Sequence, residues 1–233
     1  MLGSHKRSCD TVALFADHKR VQKDGTPPHD LGAHAQGSAC GPVWEAAGMP
    51  SPQSLSESDR RTVAAWAADC AERVLVLFET EAPADGRPRD AIARTRAFAR
   101  GELDTAGEIR RRFVAGRAAQ AVSSPAAVAA ARAAAQAAGV AHMGAHALGA
   151  AAYAANAAGL AAPDQPEAAR DEISWQLECM TDQTRSALRQ LPLVGEDSAG
   201  PLGSGLLASG ILGTIIREIQ AAVGGTSPQK GVR

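Results

Sequence analysis

The sequence predicts an all-α protein, an alanine-rich multi-helix bundle with a disordered N-terminal extension. Hydrophobic residues make up 45% of the 233 residues but aromatic residues only 3%, so alanine supplies much of the apolar content. Alanine has the highest helix propensity, and its small side chain lets helix axes approach closely. From residue 63 onwards, apolar residues also recur at the three- and four-residue spacing of a helix.

Residues 1–54 show no such periodicity and are rich in Gly, Pro, Ser and Asp. Because a segment of this composition has little apolar surface to bury, we expect a flexible extension. A helical domain over 55–192 follows, and then a Gly-rich linker with a short apolar helix over 193–233. No apolar segment reaches the roughly 20 residues of a membrane span, and no apolar signal region is visible, so we expect a cytoplasmic protein.

The first helix is predicted to begin after Ser56, because Ser56 and Asp59 have the spacing of a capping box. Its apolar residues form a single stripe, which consists of Val63, Trp66, Ala67, Cys70, Val74, Leu77 and Phe78. A second helix is predicted in "RPRDAIARTRAFARG", with Pro88 in its first turn and Gly101 as its stop signal.

A third helix is predicted from a capping box formed by Thr105 and Glu108. A fourth helical run begins at Ser124 and continues towards Leu160. Its roughly 36 residues would span about 54 Å at the helical rise of about 1.5 Å per residue. Since that is too long for a small bundle, we expect a break near Gly139.

A fifth helix is predicted over 166–191, with Glu172, Arg185 and Arg189 on its exposed face. The last helix, over about 206–223, is short and apolar and lies between glycine-rich flanks. We expect it to dock on the bundle. The alternative is an interfacial or partner-binding segment, since the helix is too short to cross a bilayer.

Charge and motifs argue against several functions. The formal net charge of −1 provides no overall attraction to nucleic acid. The sequence has no GxxxxGK[ST] phosphate loop, no G-x-S-x-G nucleophile elbow and no H-E-x-x-H zinc motif. The four cysteines form no CxxC pair, so we expect free thiols, with Cys70 in the core.

Several polar residues nevertheless fall on predicted helix faces that are otherwise lined by alanine. His142 and His146 lie four residues apart, a spacing that can place two imidazoles on one metal ion. Asp69 and Glu72 share a face of the first helix, and Tyr153 lies two turns beyond His146. We expect these side chains to meet in the bundle core, because a buried polar group needs a partner.

Arg87 and Asp90 lie at the predicted start of the second helix, where the helix dipole disfavours a cation. We therefore expect Arg87 or Arg89 to be held by carboxylates such as Asp69 or Glu72. The candidate binding residues are Asp69, Glu72, Arg87, Asp90, His142, His146 and Tyr153. We expect no metal or cofactor, and metal ligation by His142 and His146 is the alternative to neutral histidines in a polar core.

Three motifs occur together: a W-A-x-x-C-A-E-R-V-L helix, a D-x-R-P-R-x-A-I turn and an A-H-x-x-x-H-A-x-x-A-A-x-Y-A segment. In this combination they resemble the immunity-five-like immunity proteins, an all-helical family of high-GC bacteria. The resemblance covers about 55–190 and is carried by segments 59–103 and 126–158. The matching residues are Trp66, Asp69, Cys70, Glu72, Arg73, Asp85, Arg87, Pro88, Arg89, Ala91, Ile92, Gly101, Glu102, His142, His146 and Tyr153.

The resemblance implies a helical binding module that neutralises a cognate bacterial toxin by protein–protein contact, and it assigns no catalytic residue. The polar residues leave open an enzyme or a protein that binds a small molecule or metal, for example in a biosynthetic pathway. Such a protein would use the His, Asp, Glu and Arg cluster of the core. A third possibility is a purely structural cluster that fixes helix register.

Overall fold

The computed structural model describes residues 51–111 and 113–225, and this part of the chain contains helices and no β-strand. The all-α prediction is therefore confirmed. The helices are α1 Glu57–Glu81, α2 Arg87–Ala99, α3 Thr105–Arg111, α4 Phe113–Gly116, α5 Pro125–Gly139, α6 His146–Ala161, α7 Ala168–Glu178, α8 Asp182–Leu188 and α9 Gly210–Val223. Short 3₁₀ helices lie at Arg117–Gln120 and Leu206–Ala208. The predicted disordered extension lies outside the described residues, except for 51–54.

Helices α1, α5 and α6 form the centre of the bundle, where each packs against the other two. The buried faces of α5 and α6 consist largely of alanines with no exposed surface, among them Ala130, Ala134, Ala137, Ala147, Ala150, Ala151 and Ala154. Close helix packing of this kind removes small side chains from water without leaving voids. The alanine-rich composition is thus explained by the three central helices.

The ends of α1 and α2 follow the predicted signals. Ser56 caps α1, because its hydroxyl accepts a 3.0 Å hydrogen bond from the backbone N–H of Asp59. Pro88 lies in the first turn of α2, and Gly101 follows its end with a φ of +81°, which only glycine adopts readily. The apolar stripe of α1 is buried, except that Leu77 is only partly buried.

The predicted capping box of α3 is wrong by one residue. Helix α3 includes Thr105 as its first residue, and the capping side chain is Asp104, which accepts the backbone N–H of Gly107 at 2.8 Å. Aspartate is at least as good an N-cap as threonine, so Asp104 rather than Thr105 occupies the N-cap position. The Glu108 side chain is buried and pairs with Arg94 of α2, so it does not accept the backbone N–H of the N-cap residue as a capping-box glutamate would.

The predicted break near Gly139 is confirmed. Helix α5 ends at this glycine, and α6 begins at His146 after a short turn. A Cβ atom on Gly139 would lie 2.8 Å from Cγ of the His146 ring, closer than carbon atoms pack. The glycine therefore allows the chain to turn back with the His146 ring directly against the end of α5.

Gln53 anchors the segment before α1, although the composition of 1–54 predicts a flexible extension there. Its side chain is fully buried, with Oε1 accepting the backbone N–H of Leu202 at 2.9 Å. Its Nε2 donates to Asp197 Oδ2 at 3.0 Å and to the carbonyl of Ala199. Its own carbonyl accepts the N–H of Ala145 in the turn before α6. Residue 53 is therefore part of the folded domain.

The prediction of a single fifth helix is wrong, because the chain forms α7 and α8 with a break between them. Thr181 begins the second piece by accepting the backbone N–H of Thr184 at 3.1 Å, which makes it a local N-cap. Arg189 is exposed and Arg185 partly exposed, but Glu172 is 95% buried rather than exposed.

The C-terminal helix α9 docks on the bundle through a buried apolar face. Ile215, Ile216 and Ile219 are buried, and α9 contacts α6, α7 and α8. Arg189 donates from Nε to the carbonyl of Val223 at 2.8 Å, which ties the end of α9 to the end of α8. Across the described part of the chain, no helix combines the length and the apolar character that crossing a membrane requires.

Candidate functional site

The two carboxylates predicted on α1 lie on its surface and share one arginine. Arg96 of α2 forms ion pairs with Asp69 at 2.6 Å and with Glu72 at 2.5 Å. The side chains of Asp69 and Glu72 are 49% and 45% exposed, so this is a surface triad that joins α1 to α2. Partial burial raises the pKa of Asp69, and the nearby Arg96 guanidinium partly offsets that rise.

Neither Arg87 nor Arg89 is held by Asp69 or Glu72, so that prediction is wrong: Arg89 pairs with Glu79, and Arg87 pairs with Asp85. The Nε of Arg87 donates to Asp85 Oδ1 at 2.8 Å, and this hydrogen bond lowers the pKa of Asp85. Asp85 is two residues away in the chain and lies just before α2, so it reaches Arg87 more easily than the side of α1 does. Asp90 is exposed on the same helix and lines a small cavity beside Arg87.

The two histidines lie where α5 turns into α6. His142 is exposed in the turn, and His146 is the partly buried first residue of α6. Their ring centroids are 6.5 Å apart, and Nδ1 of His146 is 2.7 Å from Oε1 of Gln136 on α5. Among residues 51–111 and 113–225, no three His, Cys, Asp or Glu side chains are grouped as a metal ion requires. The expectation of no metal or cofactor stays a prediction.

Tyr153 is buried on α6, two turns beyond His146, and Arg132 of α5 lies 5.8 Å from the centre of its ring. Arg132 and Gln136 are four residues apart, so they share the face of α5 that meets this side of α6. We call Arg132, Gln136, His146 and Tyr153 the α5–α6 seam. The structure therefore places His146 and Tyr153 along one seam, with His142 in the turn before it, and places the α1 carboxylates in a separate group with Arg96.

A second group of polar side chains, not among the residues predicted from sequence, joins α1 to α7. Glu172 is buried and accepts hydrogen bonds from Arg73 Nε at 2.8 Å and from Gln176 Nε2 at 3.1 Å. The indole N–H of Trp66 donates to the backbone carbonyl of Gln176 at 2.9 Å. The Arg73 guanidinium also lies 3.9 Å from the ring centre of Trp175. We call these five residues the α1–α7 cluster.

Two patterns in the sequence would have indicated this cluster. Trp66 and Arg73 are seven residues apart, which places them on one face of α1 two turns apart. Glu172, Trp175 and Gln176 have the spacing of one face of α7. What the sequence could not show is that these two faces meet.

Cys70 lies fully buried on α1, as predicted. Burial raises the pKa of this thiol well above its ordinary value, and the negative charge of Glu172 raises it further. Since the thiolate is the nucleophilic form, a thiol in this environment is unreactive at neutral pH. The cysteine therefore contributes packing, not chemistry.

The candidate carboxylates Asp69 and Glu72 are held by Arg96, and the cavities found near the polar groups are small. Glu108 pairs with Arg94 from a nearly buried position. The cavity next to this pair measures about 20 Å³, which is room for about one water molecule. A second cavity, between Leu148 and Val223, measures about 100 Å³. Ligand pockets are typically about 300 Å³ or larger, so these polar groups join helices more readily than they bind a substrate.

Comparison with known proteins gives one family. The family model described as "Imm-5 like putative immunity protein" matches residues 53–183, more than half of the chain. The match runs from Gln53 through α1–α7 into the start of α8, so it includes both the α5–α6 seam and the α1–α7 cluster. No curated protein and no solved structure matches the chain. The chain belongs to the Imm-5 like putative immunity protein family.

Proposed function

We propose that this chain is an immunity protein that neutralises a cognate bacterial toxin by binding it directly in the cytoplasm. The observation that carries the proposal is the family match over 53–183, which spans the central helices of the bundle. The resemblance of the W-A-x-x-C-A-E-R-V-L and D-x-R-P-R-x-A-I motifs supports the same assignment.

The geometry supports a function at the surface. The ion pairs of Asp69, Glu72, Asp85 and Glu108 connect helices or fix their ends. A general acid or base needs a free path to a substrate and a pKa suited to proton transfer. Carboxylates that are fixed by guanidinium groups beside small cavities favour neither access to a substrate nor proton transfer. A rigid helical bundle is, by contrast, a suitable support for a protein interface.

The second candidate is a protein that binds a small molecule or a metal at the α5–α6 seam. It is favoured by the proximity of His142 and His146 and by the tyrosine two turns further along α6. The variant H142Q/H146Q distinguishes the two functions. Under our proposal it keeps its helical circular-dichroism spectrum and binds toxin as the unmodified chain does. A ligand site would instead lose its ligand in a chain that remains folded.

Native mass spectrometry of the chain purified from its own host tests the proposed function. We expect a complex with one other protein at a fixed ratio, and we expect that protein, expressed alone, to be toxic. A bare chain, or a chain carrying only a small molecule or a metal, would contradict the proposal and favour the second candidate.

A further inference from the structure

The segment from α3 to the following 3₁₀ helix has an unusual concentration of positive charge. Residues 105–120 contain four arginines and a single acidic residue, Glu108. That glutamate is nearly buried and pairs with Arg94 of α2, so it does not compensate the arginines of its own segment. Arg110, Arg111 and Arg117 are exposed.

The arginines of the neighbouring α2 and its C-terminal end differ from these three in their partners. Each has a carboxylate at ion-pair distance, the pairs being Arg87–Asp85, Arg89–Glu79, Arg94–Glu108, Arg96–Asp69, Arg96–Glu72 and Arg100–Glu102. None of the ion pairs formed within 51–111 and 113–225 involves Arg110, Arg111 or Arg117. Their charge is therefore available to another molecule.

An aromatic side chain lies among these arginines. Phe113 is 46% exposed, although phenylalanine is normally among the more buried residues. Arg110, Phe113 and Arg117 are separated by three and four residues in a run that is helical on both sides of residue 112. Phe113 and Arg117 therefore lie on one side of α4 and the 3₁₀ helix that follows it, and Arg110 and Arg111 lie in the last turn of α3, close to them in the chain. We call Arg110, Arg111, Phe113 and Arg117 the arginine surface.

The helix dipole explains only part of this arrangement. Arg110 and Arg111 lie in the last turn of α3, where a cation is favourable. That argument does not extend to Arg117, nor does it account for an exposed phenylalanine. Arginine and aromatic residues together are the composition that protein interfaces favour at their energetically important positions.

We propose that the arginine surface is the docking site for an acidic surface of the toxin, with Phe113 inserted into an apolar depression among the toxin's carboxylates. The inference rests on the proposed function and identifies the part of the chain that performs it. Guanidinium groups bind carboxylates in bidentate fashion, so a cluster of carboxylates is the partner that complements these arginines. The remainder of the chain carries a net negative charge, which disfavours a nucleic acid as the partner.

Two variants with the same change in net charge test the proposal. R110Q/R111Q/R117Q removes the three arginines of the arginine surface, and R89Q/R100Q/R170Q removes three exposed arginines that have carboxylate partners elsewhere. The probe is the toxin that co-purifies with the chain, identified from the mass of the native complex and produced separately. Affinities are measured by calorimetry, after circular dichroism has shown that both variants remain helical.

We expect the first variant to weaken toxin binding by about 30-fold and the second by less than about threefold. F113A alone should weaken toxin binding by about tenfold. Raising the salt concentration from about 0.05 to 0.5 M should weaken the toxin affinity of the unmodified chain more than it weakens the toxin affinity of R110Q/R111Q/R117Q.

Equal toxin affinities of the unmodified chain and R110Q/R111Q/R117Q would overturn the docking site and leave the proposed function intact. Failure of the unmodified chain to bind the toxin would overturn both. Equally tight binding to a 20-base-pair DNA duplex would overturn the assignment to an acidic protein.

Discussion

At the scale of single residues, the contact between Arg73 and Glu172 shows how a surface residue supports a buried one. Glu172 is 5% exposed, while the Arg73 side chain that pairs with it is 42% exposed. A carboxylate is costly to bury unless it keeps its hydrogen bonds, and here Arg73 and Gln176 provide them. The contact therefore fixes α7 against α1 through a buried carboxylate that accepts hydrogen bonds from both helices.

We predict that R73A lowers the free energy of unfolding by about 2 kcal/mol, less than for a fully buried pair because Arg73 is partly exposed. In R73A/E172Q the uncompensated charge is absent, so the double variant should recover part of this loss. Urea unfolding of the two single variants and the double variant gives a double-mutant cycle. Strictly additive effects would show that the two side chains do not interact.

A second residue, Glu81, connects α1 to the start of α5 and makes part of the stability depend on pH. Its carboxylate accepts the backbone N–H groups of Ser123 and Ser124, and these hydrogen bonds lower its pKa from 4.5 to about 2. The folded protein thus favours the ionised form more strongly than the unfolded chain does. The resulting stabilisation is complete above the unfolded pKa and disappears as the pH falls from about 4.5 towards 2.

We predict that E81Q lowers stability near pH 7 and has progressively less effect as the pH falls below about 4. The measurement is the urea midpoint of E81Q and of the unmodified chain at several pH values. E178Q, at the exposed end of α7, is the matched control for removing one surface carboxylate. If E81Q lowers the midpoint equally at pH 7 and pH 3, the hydrogen bonds do not have the assigned role.

At the scale of elements, the turn between α5 and α6 depends on a glycine. Because a Cβ atom on Gly139 would overlap the His146 ring, we predict that G139A destabilises the fold by about 2 kcal/mol, as overpacking does. Gly116 is helical, and a Cβ atom there would have its nearest neighbour at 3.9 Å. G116A should therefore be neutral or stabilise by up to about 1 kcal/mol. Thermal unfolding of both variants tests the argument, and equal melting temperatures would contradict it.

The loop before α9 is held in place by hydrogen bonds to the Gln53 side chain. We predict that Q53A costs about 3 kcal/mol, because it leaves the N–H of Leu202 and the carbonyl of Ala199 without their side-chain partner. Q165A, which changes an exposed glutamine, should alter stability by less than about 0.5 kcal/mol. The two variants are compared by urea unfolding and by the rate of proteolysis within 195–205. An unchanged rate in Q53A would show that the loop is held by other contacts.

The helices themselves were largely predictable from sequence, because periodicity and caps are local signals. Ser56, Gly101 and Gly139 each act within one turn of their own position, and each marks a boundary of the fold. The break between α7 and α8 was missed because apolar residues continue at helical spacing across it. Its signal, the Thr181 cap, is a single hydroxyl within that continuing pattern.

At the scale of the whole molecule, the sequence predicted which residues share a helix face but not which faces meet. Asp69 and Glu72 were correctly placed together, yet their partner is Arg96, whereas His146 lies at the α5–α6 seam. Long-range partners depend on how helices pack, and one sequence contains no direct record of that packing. Gln53 shows the same limit, since its hydrogen-bond partners Leu202 and Ala199 are about 150 residues away.

The assignment of function likewise depends on a property of the whole chain. Within 51–111 and 113–225, the ion pairs of Asp69, Glu72, Asp85 and Glu108 join helices or fix their ends, whereas the exposed arginines of the arginine surface form no ion pair. A bundle whose helices are joined by ion pairs, with a basic surface that forms none, is what we expect of a protein whose task is to bind another protein.

The claim that this chain neutralises a toxin by binding it is tested most directly by bacterial growth. A strain expresses the co-purifying toxin under an inducible promoter, with and without this chain, and its growth is measured. We predict that toxin alone stops growth, that co-expression of the chain restores it, and that the two proteins are recovered as one complex. Growth that remains arrested, with the chain folded and present at the level of the toxin, would contradict the central claim that this protein neutralises a toxin by binding it.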